Sequence, residues 1–298
     1  MNKIRSVHTA PVLCLAVFVL LSLVSHLDPR GGGADELLAG LVLRVVVFLL
    51  PSLIYCRLKG TEYRKKVGLK LFSVSKIPFL ILTALCIFFF SVLIRYAVYP
   101  SAIGNVVAEG TRGDTPFIYA VIVSCLLPSL LEEFLFRGII LHEYRETGVF
   151  GAVLFSSLLF SMVHFSVAYF PVYLFAGAVL ALAYLLTGSV FACSVIHFIY
   201  NLLMLLSEYY LLDVITKAEY KVLFIFAFLC LGLLFLFLSL GSAESILRSN
   251  TVNIPTEENY IYPARESRIR SFFLAVVTPG FLACAAYFVV AAIVSLKP

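Results

Sequence analysis

Three ionisable residues, Glu132, Glu133 and Arg137, fall within six positions of a run that is otherwise apolar from about Pro116 to Leu141. A charged side chain at the centre of a membrane helix costs roughly 2.5–3.5 kcal/mol on insertion scales, so three together need a reason. On a helix Glu133 and Arg137 stand four apart and share a face, so they can pair. Glu132 lies about 100° round from Glu133, so it can point elsewhere and stay available. Further on, Ser157, Ser161 and His164 follow helical spacing, as do Ser194, His197 and Asn201. A carboxylate can act as general base on a water that an imidazole orients. An imidazole and a carboxamide can donate hydrogen bonds to a tetrahedral oxyanion. Hydrolysis is the chemistry this inventory suits. Two His and a Glu are also ordinary zinc ligands with an open fourth position, which makes Glu132, His164 and His197 the alternative metal set. There is no H-E-x-x-H, and no serine sits in a G-x-S-x-G turn. Hydrogen-bonding glue between helices is the plainer use of the same side chains.

Those side chains must be carried through a bilayer. The chain of 298 residues is 62% hydrophobic and only 13% charged, with a mean hydropathy of +1.03. A soluble domain has about 25% charged residues. Apolar runs of about twenty residues fit membrane-spanning helices, whereas barrel strands are about ten residues long and alternate. The expected fold is therefore all-α: a polytopic transmembrane helical bundle of about 8–9 transmembrane helices. It forms a single integral membrane domain, 1–298, with a catalytic core at about 116–206 and a hydrophilic loop at 241–270. Met1–His26 reads as a retained first helix, since no small-x-small cleavage site follows its apolar run. Further spans are expected at Leu37–Cys56, Ile77–Val98, Pro116–Leu141, Val149–Tyr169, Pro171–Leu186, Ser189–Leu206, Val222–Leu240 and Phe272–Leu296. The last is expected to kink at Pro279-Gly280. Arg44 lies inside the second span, where it can snorkel or pair with a carboxylate. His142, Glu143, Arg145 and Glu146 are expected in a loop after the fourth span.

Seven cations between Arg57 and Lys76 mark a cytoplasmic segment and set the N-terminus on the cytoplasmic side, as expected of a protein in the cell's plasma membrane. The net charge of +5 sits beside hydrophobic runs, so anionic membrane lipids are expected partners and nucleic acid is not. The seven cysteines lie in or beside apolar runs with no C-x-x-C, which suits packing residues better than disulfides.

The pattern Glu132-Glu133-x-x-x-Arg137, Phe160-x-x-x-His164 and His197-x-x-x-Asn201 resembles the three-motif signature of the CPBP intramembrane proteases. This is the CAAX-protease and bacteriocin-processing, or abortive-infection, family, and it includes the type II CAAX prenyl endopeptidases. The resemblance spans about Pro116 to Leu206. It implies a helical bundle with its site open to the membrane interface, and a membrane-associated protein or peptide as substrate. Glu132 would activate water with help from His164. His197 and Asn201 would form the oxyanion hole, and Glu133 with Arg137 would be the supporting pair. It implies a glutamate-based mechanism without a cofactor, zinc being the alternative. Some members of the family act as scaffolds or immunity factors, so a non-proteolytic membrane regulator is the second expectation. A proton-coupled transporter is the third, but it calls for inverted repeats or paired broken helices, and the sequence has neither.

Overall fold

Long apolar stretches free of charge satisfy their backbone internally as helices, the form a bilayer demands. The computed structural model describes residues 5–27, 34–61, 63, 67–98, 117–207, 221–251 and 265–295, and these contain helices and turns but no strand. In chain order they are α1 (Arg5–Leu27), α2 (Ala34–Lys59), a 3-10 turn at Val74–Lys76, and α3 (Ile77–Val98). A long helical run follows: α4 (Phe117–Val121), a π-helical turn at Ile122–Leu126, α5 (Leu127–Glu133), a second π-helical segment at Phe134–Ile140, α6 (Leu141–Glu143) and a 3-10 turn at Tyr144–Thr147. Then come α7 (Gly148–Met162), α8 (Phe170–Thr187), α9 (Val190–Leu206), α10 (Lys221–Thr251), α11 (Arg265–Val276) and α12 (Pro279–Ser295).

The described residues pack as two units. The first takes those of Met1–Leu69, Leu131–Ala181 and Pro255–Pro298. In it α1 runs against α2 and α12. The Cys284 thiol donates to the Pro11 carbonyl at 3.2 Å, and a Cβ on Gly280 would stand 3.1 Å from the Pro11 ring, so the two helices meet at small residues. Phe155 centres its aromatic core, stacked on Tyr144 at 4.8 Å and touching Phe272 and Phe281 at 5.3 Å each. The second unit takes the described residues of Lys70–Leu130 and Leu182–Ile254. There α3 packs against α9 and α10. Phe89 stacks on Phe235 at 5.5 Å, and the Thr83 and Ser239 hydroxyls bond at 2.8 Å.

The helical membrane bundle is as expected. Among the described residues six helices can cross a membrane by length and composition, or seven if α11 and α12, bent by 43°, are one span. Two of the expected spans lie inside the single run Phe117–Met162, and Val190–Leu206 is a shorter apolar helix. The expected kink near Pro279-Gly280 is the bend between α11 and α12. Three local expectations fail. The span to Tyr169 ends as a helix at Met162 and turns before α8. The stretch after Leu141 is helical, not a loop. Of the expected loop 241–270, residues 241–251 extend α10 and 265–270 begin α11. The remainder of that loop, the turn at 28–33 and the loops at 101–115 and 208–220 lie outside the described residues. Arg44 is exposed, and the described cysteines form no disulfide; of them only Cys230 is exposed.

Candidate active site

The acidic motif sits where the helix changes pitch. Glu132 and Glu133 end α5, and the next residues widen into the π-helical segment, in which the Leu141 N–H reaches back to the Phe136 carbonyl. Such insertions recur at functional sites because they re-aim side chains and disturb the regular ladder. The Phe136 carbonyl also accepts from the Ser156 hydroxyl at 3.0 Å, which ties this segment to α7.

Arg137 is fully buried and fully engaged on one side. Its Nη1 donates to Glu133 Oε1 at 2.8 Å, and both side chains are 0% exposed. Its Nη2 donates to the Gly177 carbonyl on α8 at 3.0 Å. Its guanidinium lies 4.5 Å from the centroid of the Phe160 ring, within cation–π range. A planar fork can make all three contacts at once; an ammonium cannot. Gly177 is needed here because a Cβ would stand 3.0 Å from Phe160 and 3.3 Å from the Ser157 backbone.

Phe160 links this pair to His164. The Phe160 carbonyl lies 2.9 Å from His164 Nδ1. A carbonyl only accepts, so Nδ1 carries the proton, and in the neutral ring the lone pair sits on Nε2. Tyr173 stacks on the imidazole at 3.7 Å and 16°, and the Phe160 ring meets its edge at 5.2 Å. The next residue, Phe165, has φ +49, a left-handed conformation rare outside glycine. Its ring packs on Phe18 and Tyr287, at 5.6 and 5.9 Å. Strain of this kind gathers at sites where surrounding packing holds it.

His164 therefore sits in a turn, not on the helical face expected to carry it with Ser157 and Ser161. Those serines bond back to the Val153 and Ser157 carbonyls of their own helix, at 2.6 and 2.7 Å. Ser194 does the same with Val190, at 3.1 Å.

Within the first unit the structure thus joins Glu133, Arg137 and His164 through Phe160, with Glu132 buried one position before Glu133. His197 and Asn201 belong to the second unit, on α9. His197 is buried at 3% exposure. Asn201 Nδ2 donates to the Ser124 carbonyl, in the first π-helical turn, at 3.2 Å. That bond uses one of the two N–H groups of the amide. The Ser189 hydroxyl caps α9 by accepting from the Ala192 N–H. Within either unit, no group of three or more His, Cys, Asp or Glu among the described residues is gathered as for a metal ion.

Tyr173, Gly177 and the role of Phe160 escape a reading by residue type. Their one signal is that Tyr173 and Gly177 stand four apart, on one face of α8. A second polar cluster also went unexpected. Glu143 is buried and pairs with Lys59 at 3.0 Å, beside Tyr63. Burial, then the Glu143 charge, pushes the Tyr63 phenol above its usual range, so it stays neutral.

Residues 114–203 match the family model described as type II CAAX prenyl endopeptidase Rce1-like. No curated protein and no solved structure matches the chain. All six motif side chains lie inside the matched segment. Over that third of its length the chain is similar to the Rce1-like family, which is consistent with the CPBP family and with a CAAX-type intramembrane protease kind of function.

Proposed function

We propose that the protein is an intramembrane endopeptidase that hydrolyses a peptide bond in a membrane-associated or lipid-anchored protein or peptide. Glu132 takes a proton from water, and the resulting hydroxide adds to the scissile carbonyl. His164, through Nε2, accepts a hydrogen bond from that water and orients it. His197 and the second N–H of Asn201 donate to the oxyanion as it forms. When the tetrahedral intermediate collapses, the leaving amine takes the proton held by Glu132. Glu133 and Arg137 are positioning residues: they neutralise each other and hold the pitch change that aims Glu132.

The observation that carries this reading is the pinned imidazole. Its Nδ1 is committed to the Phe160 carbonyl, its face to Tyr173, and it is tied through Phe160 to the buried Glu133–Arg137 pair. The bond fixes the tautomer, with the proton on Nδ1 and the lone pair on Nε2. Zinc-binding imidazoles are oriented by the same kind of second hydrogen bond, so the mechanism without metal needs its own control. The experiment places purified protein in vesicles with a panel of membrane-anchored peptides. A peptide cut by wild type should remain uncut, by a factor of about 10² or more, with Glu132→Gln and with His164→Ala. Both variants should keep the wild-type melting temperature, and a chelator should leave the wild-type rate unchanged. Full cleavage by both variants would refute the reading; activity lost to the chelator and restored by zinc would replace its mechanism.

A further inference from the structure

Arg268 takes no part in the proposed reaction, and its surroundings have the form of a ligand site. A groove of about 530 Å³ lies between the start of α7 and the first turns of α11. Gly148, Val149 and Phe150 form one wall, and Arg268, Phe272 and Phe273 the other. Thr147, also in its lining, spends its hydroxyl on the Tyr144 carbonyl at 2.6 Å, so the groove is apolar except for Arg268. Phe150 and Phe272 lie near-parallel at 6.2 Å and 27°, while Phe150 and Phe273 are 73% and 65% exposed.

The arginine is seated, not merely nearby. Gly148 has φ +84, and a Cβ there would stand 3.3 Å from Arg268 Cδ, so the side chain lies along bare backbone. Arg268 is half-buried, and its guanidinium has no ion pair or hydrogen bond among the described residues. Arg270 and Glu266 on the same helix are exposed, and Arg145 and Glu146, just before the groove, are half-buried. The sequence places this end of both helices on the cytoplasmic side, where anionic lipid gathers.

We infer that the groove binds one anionic glycerophospholipid. Its phosphodiester sits on the Arg268 guanidinium, which matches phosphate in two-point fashion. The upper part of an acyl chain lies over Phe150, Phe272 and Phe273. Basic pockets between membrane helices on the cytoplasmic side take such headgroups. A zwitterionic lipid brings an ammonium that Arg268 repels, and a soluble peptide does not suit walls that continue into the apolar faces of spanning helices. This site is independent of the peptidase proposal.

The test is native mass spectrometry of the detergent-purified full chain with phosphatidylglycerol or phosphatidylcholine, with melting temperature as a second readout. Wild type should retain one phosphatidylglycerol and be stabilised by it, with phosphatidylcholine about tenfold weaker. Arg268→Gln should lose that preference. Phe150→Ser, at an exposed position, should weaken long-chain phosphatidylglycerol and leave a short-chain form unaffected. Equal retention of both lipids, or a preference that survives Arg268→Gln, would overturn the assignment. So would equal stabilisation by inorganic phosphate, or ready displacement of the lipid by a prenylated peptide, which would assign the groove to substrate.

Discussion

At the scale of single residues, Arg137 decides most. Its charge is far from water, and it is tolerable only because Glu133 and the Gly177 carbonyl receive it. Breaking such a pair from one side strands the other charge, at about 3–5 kcal/mol. Arg137→Met should therefore lower stability by that order in thermal unfolding. Arg137→Lys should recover little, because a point charge cannot serve a carboxylate, a carbonyl and a ring together. The double variant Glu133→Gln/Arg137→Met should recover most of the loss, since neither charge of the pair is left behind. Equal loss in the single and double variants would show that the pair is not what holds this region. The pairing was legible in the sequence, since four residues separate the partners. The third partner was not, because a backbone oxygen carries no residue type. Tyr173 was hidden for a related reason: an aromatic in an apolar span looks like any packing residue until it is found stacked on His164.

At the scale of elements, the pattern misleads where the chain changes pitch without changing composition. From Val163 to Tyr169 there is no Gly or Pro, and Ser157, Ser161 and His164 keep helical spacing, so the periodicity runs on through a real break. The break is made by Phe165 in a left-handed conformation, held by Phe18 and Tyr287 from distant parts of the chain. The two π-helical segments are equally silent, because one extra residue per turn leaves an apolar run apolar. The approach of α8 to α7 is a consequence of one glycine. Gly177→Ala sets a methyl 3.0 Å from Phe160, against a ring already committed to Arg137 and His164. Overpacking of this kind costs about 1–3 kcal/mol. The expected result is a lower melting temperature together with slower cleavage, since the same ring carries both halves of the motif. A variant with wild-type melting and rate would mean that α8 is free to shift.

At the scale of the whole molecule, class and motif were readable, and the number of spans only approximately. Mean hydropathy and run length dictate a helical membrane protein, and the three motifs fall inside the segment matched by the Rce1-like model. A sequence divides Phe117–Met162 into two spans at its charges, whereas the chain continues as helix through them. In the proposed function the protein cuts a membrane protein with Glu132 as the base. The most direct measurement is a comparison of peptide termini in membranes of cells carrying wild type, Glu132→Gln, or His197→Ala and Asn201→Ala at the proposed oxyanion donors. A new terminus should be abundant with wild type and absent with Glu132→Gln, whose uncut parent should accumulate. With either oxyanion variant the terminus should form about 10²–10³ times more slowly. A set of termini identical in wild type and Glu132→Gln membranes, at equal protein levels, would contradict it.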